Sequence, residues 1–456
     1  MPIIPSRFRS ILDRSTSKGH VLRGALAAFI VRALGIVVAY LVHVLLACWT
    51  GPTQYGLYAY AWTWLMVLAM VVPIGLNEAI LRFVPSYIAD KKWAELKGIV
   101  SRCPLLIAVM GALTAAVGSL IVTLVPDLAA SAFAPSLIIA LWATPFMALL
   151  VFLEGLGRAL GSVTMAYAPR NVGVPLLVLV VSGLWILVDP ALTARRVVVI
   201  LLLTLIFFVV LQSLMVRTQL PKEAALGKSA YPMREWLRIA LPLMVVSLAT
   251  LLNAYIDVIV IGFFLSPENV GAYTAASRTA LLVWGAPQAL SVLAAPWIGR
   301  LYAAGNKNEL RSLMATIIQW GFWPALLAAA VFIIFGQPIL SLFGGGFTVA
   351  YASLVVLVLG QLTGAAAGPV DYLLGMTGHH DRLALVHAVM CIVCIVLTLA
   401  LVPVLGIIGA AIAKSAITIG INIWMVIEAR ARTGITSILF YRSPCDNRVL
   451  ASPVSS

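Results

Sequence analysis

Residues 51–61 read GPTQYGLYAYA, and residues 266–276 read SPENVGAYTAA. Each stretch closes one apolar run, turns through a proline, places a glycine and a tyrosine at matching positions, and opens another apolar run. The surroundings match too. A long apolar run, a proline, a tyrosine and a basic turn follow each copy: VPSYIADKKWAELKGIV (84–100) after the first, APWIGRLYAAGNKNELRSLM (295–314) after the second. FLEGLG (152–157) has a looser counterpart in YLLGMT (372–377). The chain of 456 residues is therefore an internal duplication, and each copy of the small polar stretch joins the first two elements of its half.

Composition says what those elements are. The chain is 62% hydrophobic and 10% charged, against about a quarter charged in soluble proteins. Twelve apolar runs are long enough to cross a bilayer: roughly 24–47, 57–81, 103–125, 136–157, 171–188, 197–217, 239–264, 270–297, 313–335, 349–375, 384–402 and 406–427. Helices are the expected spanning element, because unpaired backbone groups are costly in lipid and the period-two alternation of a barrel strand is absent. The expected fold class is an all-α integral membrane protein whose twelve helices form two six-helix pseudo-symmetric bundles around a central cavity. An even number of spans per half gives both halves one orientation, so the repeat axis is expected to follow the membrane normal.

Charge sets the expected orientation. With residues 1–23 in the cytoplasm, 25 of the 30 Lys and Arg residues fall on that side, two (Arg195, Arg196) fall outside, and Arg32, Arg278 and Lys414 lie within spans. Both termini are expected to be cytoplasmic. The expected organisation is a basic N-terminus (1–23), a first bundle (24–217), a linker (218–238), a second bundle (239–427) and a C-terminal tail (428–456). The linker is polar and long enough to let the bundles rock. Its end, and the SYIADKKWAELKGIV segment, place apolar residues at helical spacing beside basic ones, as in helices lying on an anionic leaflet. The net charge of +14 is scattered over short segments, which fits topology and a membrane surface better than nucleic acid. No cleavable signal is expected at the N-terminus.

Ionisable residues inside spans are the functional candidates. Glu78 with Arg82, and Glu154 with Arg158, are spaced as local i,i+4 ion pairs. Asp371 lies near a span end with Arg382 just beyond. Arg32 sits eight residues into the first span. Asp257, Arg278 and Lys414 share one layer, roughly 10–12 Å below the outer surface by helical rise. Asp257 and Arg278, on consecutive antiparallel helices, are expected to touch. Arg32 and Lys414 lack an evident carboxylate, and such cations suit an anionic ligand, phosphate above all. Asn253 is placed with them as a cavity residue. Cys391-x-x-Cys394 lies in an apolar helix and reads as packing, and His379 and His380 have no further metal ligand at useful spacing. GAAIAKS around Lys414 lacks the glycine of a phosphate-binding loop. The outer loops are too short for a catalytic domain. No enzyme activity, no cofactor and no nucleic-acid partner are expected.

Five stretches then carry a resemblance: VRALGIVVAYLVHVLLACWTGPTQYGLYAYA (31–61), IGLNEAILRFVPSYIADKKWAELKGIV (74–100), AYIDVIVIGFFLSPENVGAYTAASR (254–278), GQLTGAAAGPVDYLLGMTGHH (360–380) and VPVLGIIGAAIAKSA (402–416). Over roughly 20–430 the chain resembles the polysaccharide transporters of the multidrug/oligosaccharidyl-lipid/polysaccharide flippase superfamily. The resemblance implies a flippase that moves polyprenyl-diphosphate-linked oligosaccharides across the bacterial inner membrane by alternating access. It matches Asp257 and Arg278 to positions that are commonly polar. Its partners would be the lipid-linked oligosaccharide and membrane lipids, with a glycan polymerase and a chain-length regulator as further candidates. A cation-coupled drug exporter of the same superfamily would favour acidic cavity residues, whereas the deep set here is three basic to one acidic. A membrane-embedded glycan polymerase or ligase would want a larger outer loop than this chain has.

Overall fold

The computed structural model describes residues 17–221, 223 and 229–435, with side chains of 17–33, 163 and 164 outside the description. The basic N-terminus before residue 17 and the tail beyond 435 lie outside the described residues. Among those described, the chain is helical throughout, with ten helices long and apolar enough to cross a membrane. Two of the ten hold two crossings each, so the twelve expected spans are present. Helix α1 (Ser17–Val71) bends at Gly51, whose φ of 74° and ψ of 172° are open to glycine and precede Pro52. In the second half the long C-terminal helix, His380–Thr433, bends in the same way at Gly406 (φ 60°, ψ −141°).

Besides short turns of helix at Pro126–Ala129 and Gly336–Ser341, the other helices run in chain order: α2 (Leu76–Ala89), α3 (Trp93–Leu124), α4 (Ala134–Ala159), α5 (Val163–Ala168), α6 (Val174–Val188), α7 (Ala194–Gln219), α8 (Met233–Phe264), α9 (Pro267–Leu281), α10 (Gly285–Ala303), α11 (Lys307–Ile334), α12 (Tyr351–Ala367), α13 (Val370–Met376) and α14 (His380–Thr433). Several runs that look continuous in hydrophobicity are broken in the backbone. The second span stops at Val71 and restarts at Leu76, after Pro73, Ile74 (φ 52°) and Gly75 (φ 75°). The eighth is interrupted by a tight turn over Leu282–Trp284 and the tenth by Gly368–Pro369. The fifth begins earlier than its apolar run, at Val163, and passes through a π turn over Pro169–Gly173. Hydrophobicity registers solvent, not φ and ψ, so these breaks leave no trace in an apolar count.

The two copies of the polar stretch pack against each other. A Cβ on Gly56 would overlap the Pro267 carbonyl oxygen, and one on Gly271 would overlap the Pro52 carbonyl oxygen. Missing side chains thus let α1 and α9 cross nearly backbone to backbone, the arrangement that small residues permit in membrane helices. Thr53 Oγ1 donates to Glu268 Oε1 at 2.7 Å across the same contact.

At the opposite, basic face the linker departs from the expectation of a loose tether. Residues 222 and 224–228 lie outside the described residues. The end that follows is docked on the first bundle: Ala230 N donates to Ala94 O (3.0 Å), the Tyr231 ring lies 4.8 Å from the Arg102 guanidinium, and Gly98 leaves room for the Ala230 carbonyl. Trp236, fully buried, donates from Nε1 to Tyr87 Oη at 2.9 Å. The segment expected to lie on the leaflet is instead the first turns of α8. Residues 86–100 likewise form the end of α2, a turn at Asp90–Lys92 and the start of α3 rather than one surface helix. An amphipathic pattern marks one apolar face and does not say whether lipid or protein covers it.

Candidate functional site: a cavity between the two bundles

A cavity of about 520 Å³ lies between the halves. The first half lines it with Gly35, His43, Trp62 and Met66 of α1, Glu154 of α4, and Tyr167, Arg170 and Asn171 around the π turn; Tyr255 of α8 and Arg278 of α9 face it from the second. The π turn places one extra residue in the backbone spiral, which rotates Arg170 and Asn171 inward; such turns recur at functional sites. His43 Nδ1 is 3.0 Å from Tyr55 Oη, so the imidazole is tied to the part of α1 that follows the bend at Gly51.

Two guanidinium groups therefore meet the cavity from opposite bundles, and their surroundings differ. Arg170 Nε is ion-paired with Glu154 Oε2, whose side chain is almost fully buried. Arg278 has no carboxylate within ion-pair distance among the described residues. Its guanidinium lies 5.5 Å from the Tyr255 ring centroid, a cation–π arrangement. It also stands in the last turn of α9, where the helix dipole presents partial negative charge. Ring and dipole hold the charge without neutralising it. Both guanidiniums line the one cavity and give it positive charge that suits an anionic group.

The expected contact between Asp257 and Arg278 is not formed. Asp257, 1% exposed, faces Lys414 at 3.6 Å; its Oδ2 accepts from Tyr273 Oη (2.7 Å) and its Oδ1 from the Val258 amide (3.0 Å). Lys414 Nζ also donates to the Asn253 carbonyl oxygen. The equal depth of Asp257 and Lys414 was legible from residue counts, but direction around the helix was not. Tyr255 and Asp257 are two residues apart, about 200° around α8, so one faces the cavity and Arg278 while the other faces α14. Lys414 is thus not a cation without a carboxylate. Asn253 is not among the cavity residues either: its Nδ2 donates to the His387 carbonyl at 3.2 Å. Arg32 lies on α1 three residues before Gly35, and its side chain is outside the described residues.

The local i,i+4 pairs are exchanged for pairs between helices. Arg158 of α4 reaches Glu78 of α2 at 3.5 Å, and Glu154 takes Arg170. Arg382 pairs with its neighbour Asp381 (3.8 Å), while Asp371 lines a small separate pocket with Gln361, His387 and Asn422. His379 Nδ1 is 3.0 Å from Thr377 Oγ1, and no group of three potential metal ligands exists among the described residues. Arg170 is hidden in the sequence because the apolar run of the fifth span begins only at 171, which leaves this arginine in an apparent loop. The Pro169–Arg170 junction, a proline beside a charge at the start of an apolar run, was the available sign of irregular backbone.

Residues 21–301, more than half of the chain, match the family model described as "Polysaccharide biosynthesis protein". The chain belongs to the polysaccharide biosynthesis protein family. A second model, MatE, matches residues 242–404 of this family member. Among curated proteins it is similar to a probable flippase of Haloferax volcanii, AglR, with 29% identity over 163 residues, 35% of this chain and 34% of that protein. The probable low-salt glycan biosynthesis flippase Agl15 of the same organism is 24% identical over 191 residues, 42% of this chain and 40% of that protein. The matched region spans about a third to two-fifths of these relatives' length. Among solved structures, the lipid II flippase MurJ in an inward closed conformation aligns with a TM-score of 0.66 at 16% identity, covering 89% of this chain and 87% of that one. An inward-facing MATE multidrug resistance transporter aligns at 0.69 and 16% identity, covering 89% and 94%. A Pyrococcus furiosus transporter of the same MOP superfamily aligns at 0.65 and 15% identity, covering 92% and 99%. The likeness establishes the fold of this family member: twelve spans in two lobes, in a multi-pass membrane protein.

Proposed function

We propose that this chain is a flippase that moves a polyprenyl-diphosphate-linked oligosaccharide across the bacterial cytoplasmic membrane by alternating access. The observation that carries this reading is the pair of guanidiniums, Arg170 and Arg278, facing one cavity from opposite bundles, with Glu154, paired to Arg170, the one carboxylate in its described lining. A diphosphate head needs positive charge in a cavity. It needs no hydrolytic group, so the chain acts as a transporter and not as an enzyme. Arg32 is assigned a part in attracting the diphosphate from its charge and its depth in the first span alone. Lys414 and Asp257 are assigned to holding α8 against α14. A cation-coupled drug exporter would want free carboxylates in the cavity, whereas Glu154 is committed to Arg170. A lipid-linked glycan and membrane lipids are the proposed partners, with a glycan polymerase and a chain-length regulator acting after it.

Deletion of the gene is expected to abolish surface glycan while glycan-loaded carrier accumulates on the cytoplasmic leaflet. Normal surface glycan in the deletion strain, together with new sensitivity to cationic drugs, establishes the exporter instead. The charge distribution further supports cytoplasmic termini. In a cysteine-free background, Thr53→Cys should react with a membrane-impermeant thiol reagent from outside, and Asn306→Cys only after the membrane is opened. The reverse pattern would overturn the orientation.

A further inference from the structure

Glu154 is the one carboxylate in the described lining of the cavity, and its side chain is only 7% exposed. It is ion-paired with Arg170, whose side chain is 31% exposed and meets the cavity from the π turn. An anion in the cavity therefore finds Arg278 without a carboxylate among the described residues and Arg170 already taken. To use Arg170 it must displace Glu154. A carboxylate set loose where it is this well buried needs another cation, because an uncompensated buried charge is costly.

Such a cation stands one turn along the same helix. Arg158 follows Glu154 by four residues on α4, the spacing at which side chains on a helix meet, with the acidic residue on the favourable N-terminal side. Its own pairing is incomplete. Nη2 lies 3.5 Å from Glu78 Oε1, while Nε is buried and has no hydrogen-bond partner among the described residues. Buried polar groups nearly always have a partner, so this N–H is the unexplained feature of the region. Guanidinium carries five donors in a fixed fork, so Arg158 can keep Glu78 at Nη2 and give Nε to Glu154. Glu78 is held by Asn77 as well, whose Nδ2 donates to Oε1 at 3.3 Å. The Tyr167 ring, which lines the cavity, stands 6.0 Å from the Arg158 guanidinium, so this second position adjoins the site. The i,i+4 pair that helical spacing makes available is thus the unused alternative to the pair that packing forms.

We propose that Glu154 decides which anions the cavity accepts: it guards Arg170, and it moves to Arg158 when a diphosphate displaces it. The assignment rests on the flippase reading and adds the residue that sets the selectivity of that site. Every ligand competes with a carboxylate already in place, and a built-in competitor discriminates by rejecting the weaker binder. A weakly charged anion leaves Glu154 where it is, whereas a diphosphate carries enough charge to take Arg170 from it. The exchange leaves no buried ion alone, because the carboxylate that quits one arginine is received by another.

The test titrates purified full-length protein in lipid nanodiscs with inorganic phosphate and inorganic diphosphate. Glu154→Gln removes the competitor and is expected to tighten phosphate about tenfold and diphosphate about threefold, narrowing the discrimination between them. Arg158→Gln removes the receiving position and keeps the Glu154–Arg170 pair. It should weaken diphosphate about tenfold and leave phosphate, which never displaces Glu154, within about twofold. In the double variant the loss caused by Arg158→Gln should vanish, since no carboxylate remains to be received. A purely structural Arg158 would lower the affinity for both anions alike, with or without Glu154, and that result would overturn the proposal. So would unchanged diphosphate binding in Arg158→Gln, a variant that decides the matter even where Glu154→Gln fails to fold. Undecaprenyl diphosphate should give the same order as inorganic diphosphate; an order confined to the inorganic anion would overturn the link to a lipid head. Wild-type protein that binds neither form of diphosphate would strike at the flippase reading itself, and so the two failures are distinguishable.

Discussion

Arg278→Ala is expected to reduce transport of the lipid-linked glycan by about 100-fold or more while the protein stays folded in the membrane. Arg278 is the cavity cation without a carboxylate partner among the described residues, so the alanine variant leaves no buried anion uncompensated. What it loses is the interaction with a tyrosine ring and, on the flippase reading, half of the diphosphate site. Charge-assisted contacts to phosphate in a partly dry cavity are among the strong ones, and losing about 3 kcal/mol corresponds to roughly 100-fold. Arg278→Lys keeps the charge and loses the planar fork, so its loss should be closer to tenfold. Flipping rates of a fluorescent lipid-linked oligosaccharide in proteoliposomes, normalised to folded protein, provide the measurement. Wild-type rates for Arg278→Ala would remove the cavity from the mechanism.

Asp257→Ala has the largest expected effect on stability. The carboxylate is buried, and it compensates Lys414 while accepting hydrogen bonds from Tyr273 and Val258. Breaking one partner out of a buried ion pair costs about 3–5 kcal/mol, because the remaining charge is left in a medium that solvates it poorly. Removing both charges is different. Asp257→Ala with Lys414→Met replaces the pair by apolar groups, and such exchanges are often close to neutral. The double variant is therefore expected to unfold later on heating in detergent than Asp257→Ala alone. A double variant less stable than the single one would show that Lys414 stabilises the protein without Asp257.

The spans and the two bundles were legible because the bilayer imposes a length on every helix and a polarity on every loop, and both survive in composition. The depth of Asp257 and Lys414 was legible for the same reason. Azimuth was not. Tyr255 and Asp257 differ by two residues and face different partners, and only packed neighbours decide which face turns inward. The exchange of Glu78–Arg82 and Glu154–Arg158 for Arg158–Glu78 and Arg170–Glu154 has a similar cause. Helical spacing makes a local pair available, and tertiary packing then offers a better one. Arg170 was hidden by a π turn, which no hydrophobic period registers.

The contact between the duplicated stretches joins each position to its own repeat. Thr53 meets Glu268 and Gly56 meets Gly271, each pair separated by 215 residues. That is the geometry of an isologous two-fold dimer, in which a residue on the axis faces its copy and every substitution appears twice. Carrying both copies on one polypeptide removes that constraint. Glu268 can answer Thr53, and the aromatic pair Tyr60 and Trp64 can stand opposite Ala275 and Thr279. A symmetric homodimer of six-helix subunits would have to carry each of these side chains on both sides of its axis; a fused chain is free to carry it on one.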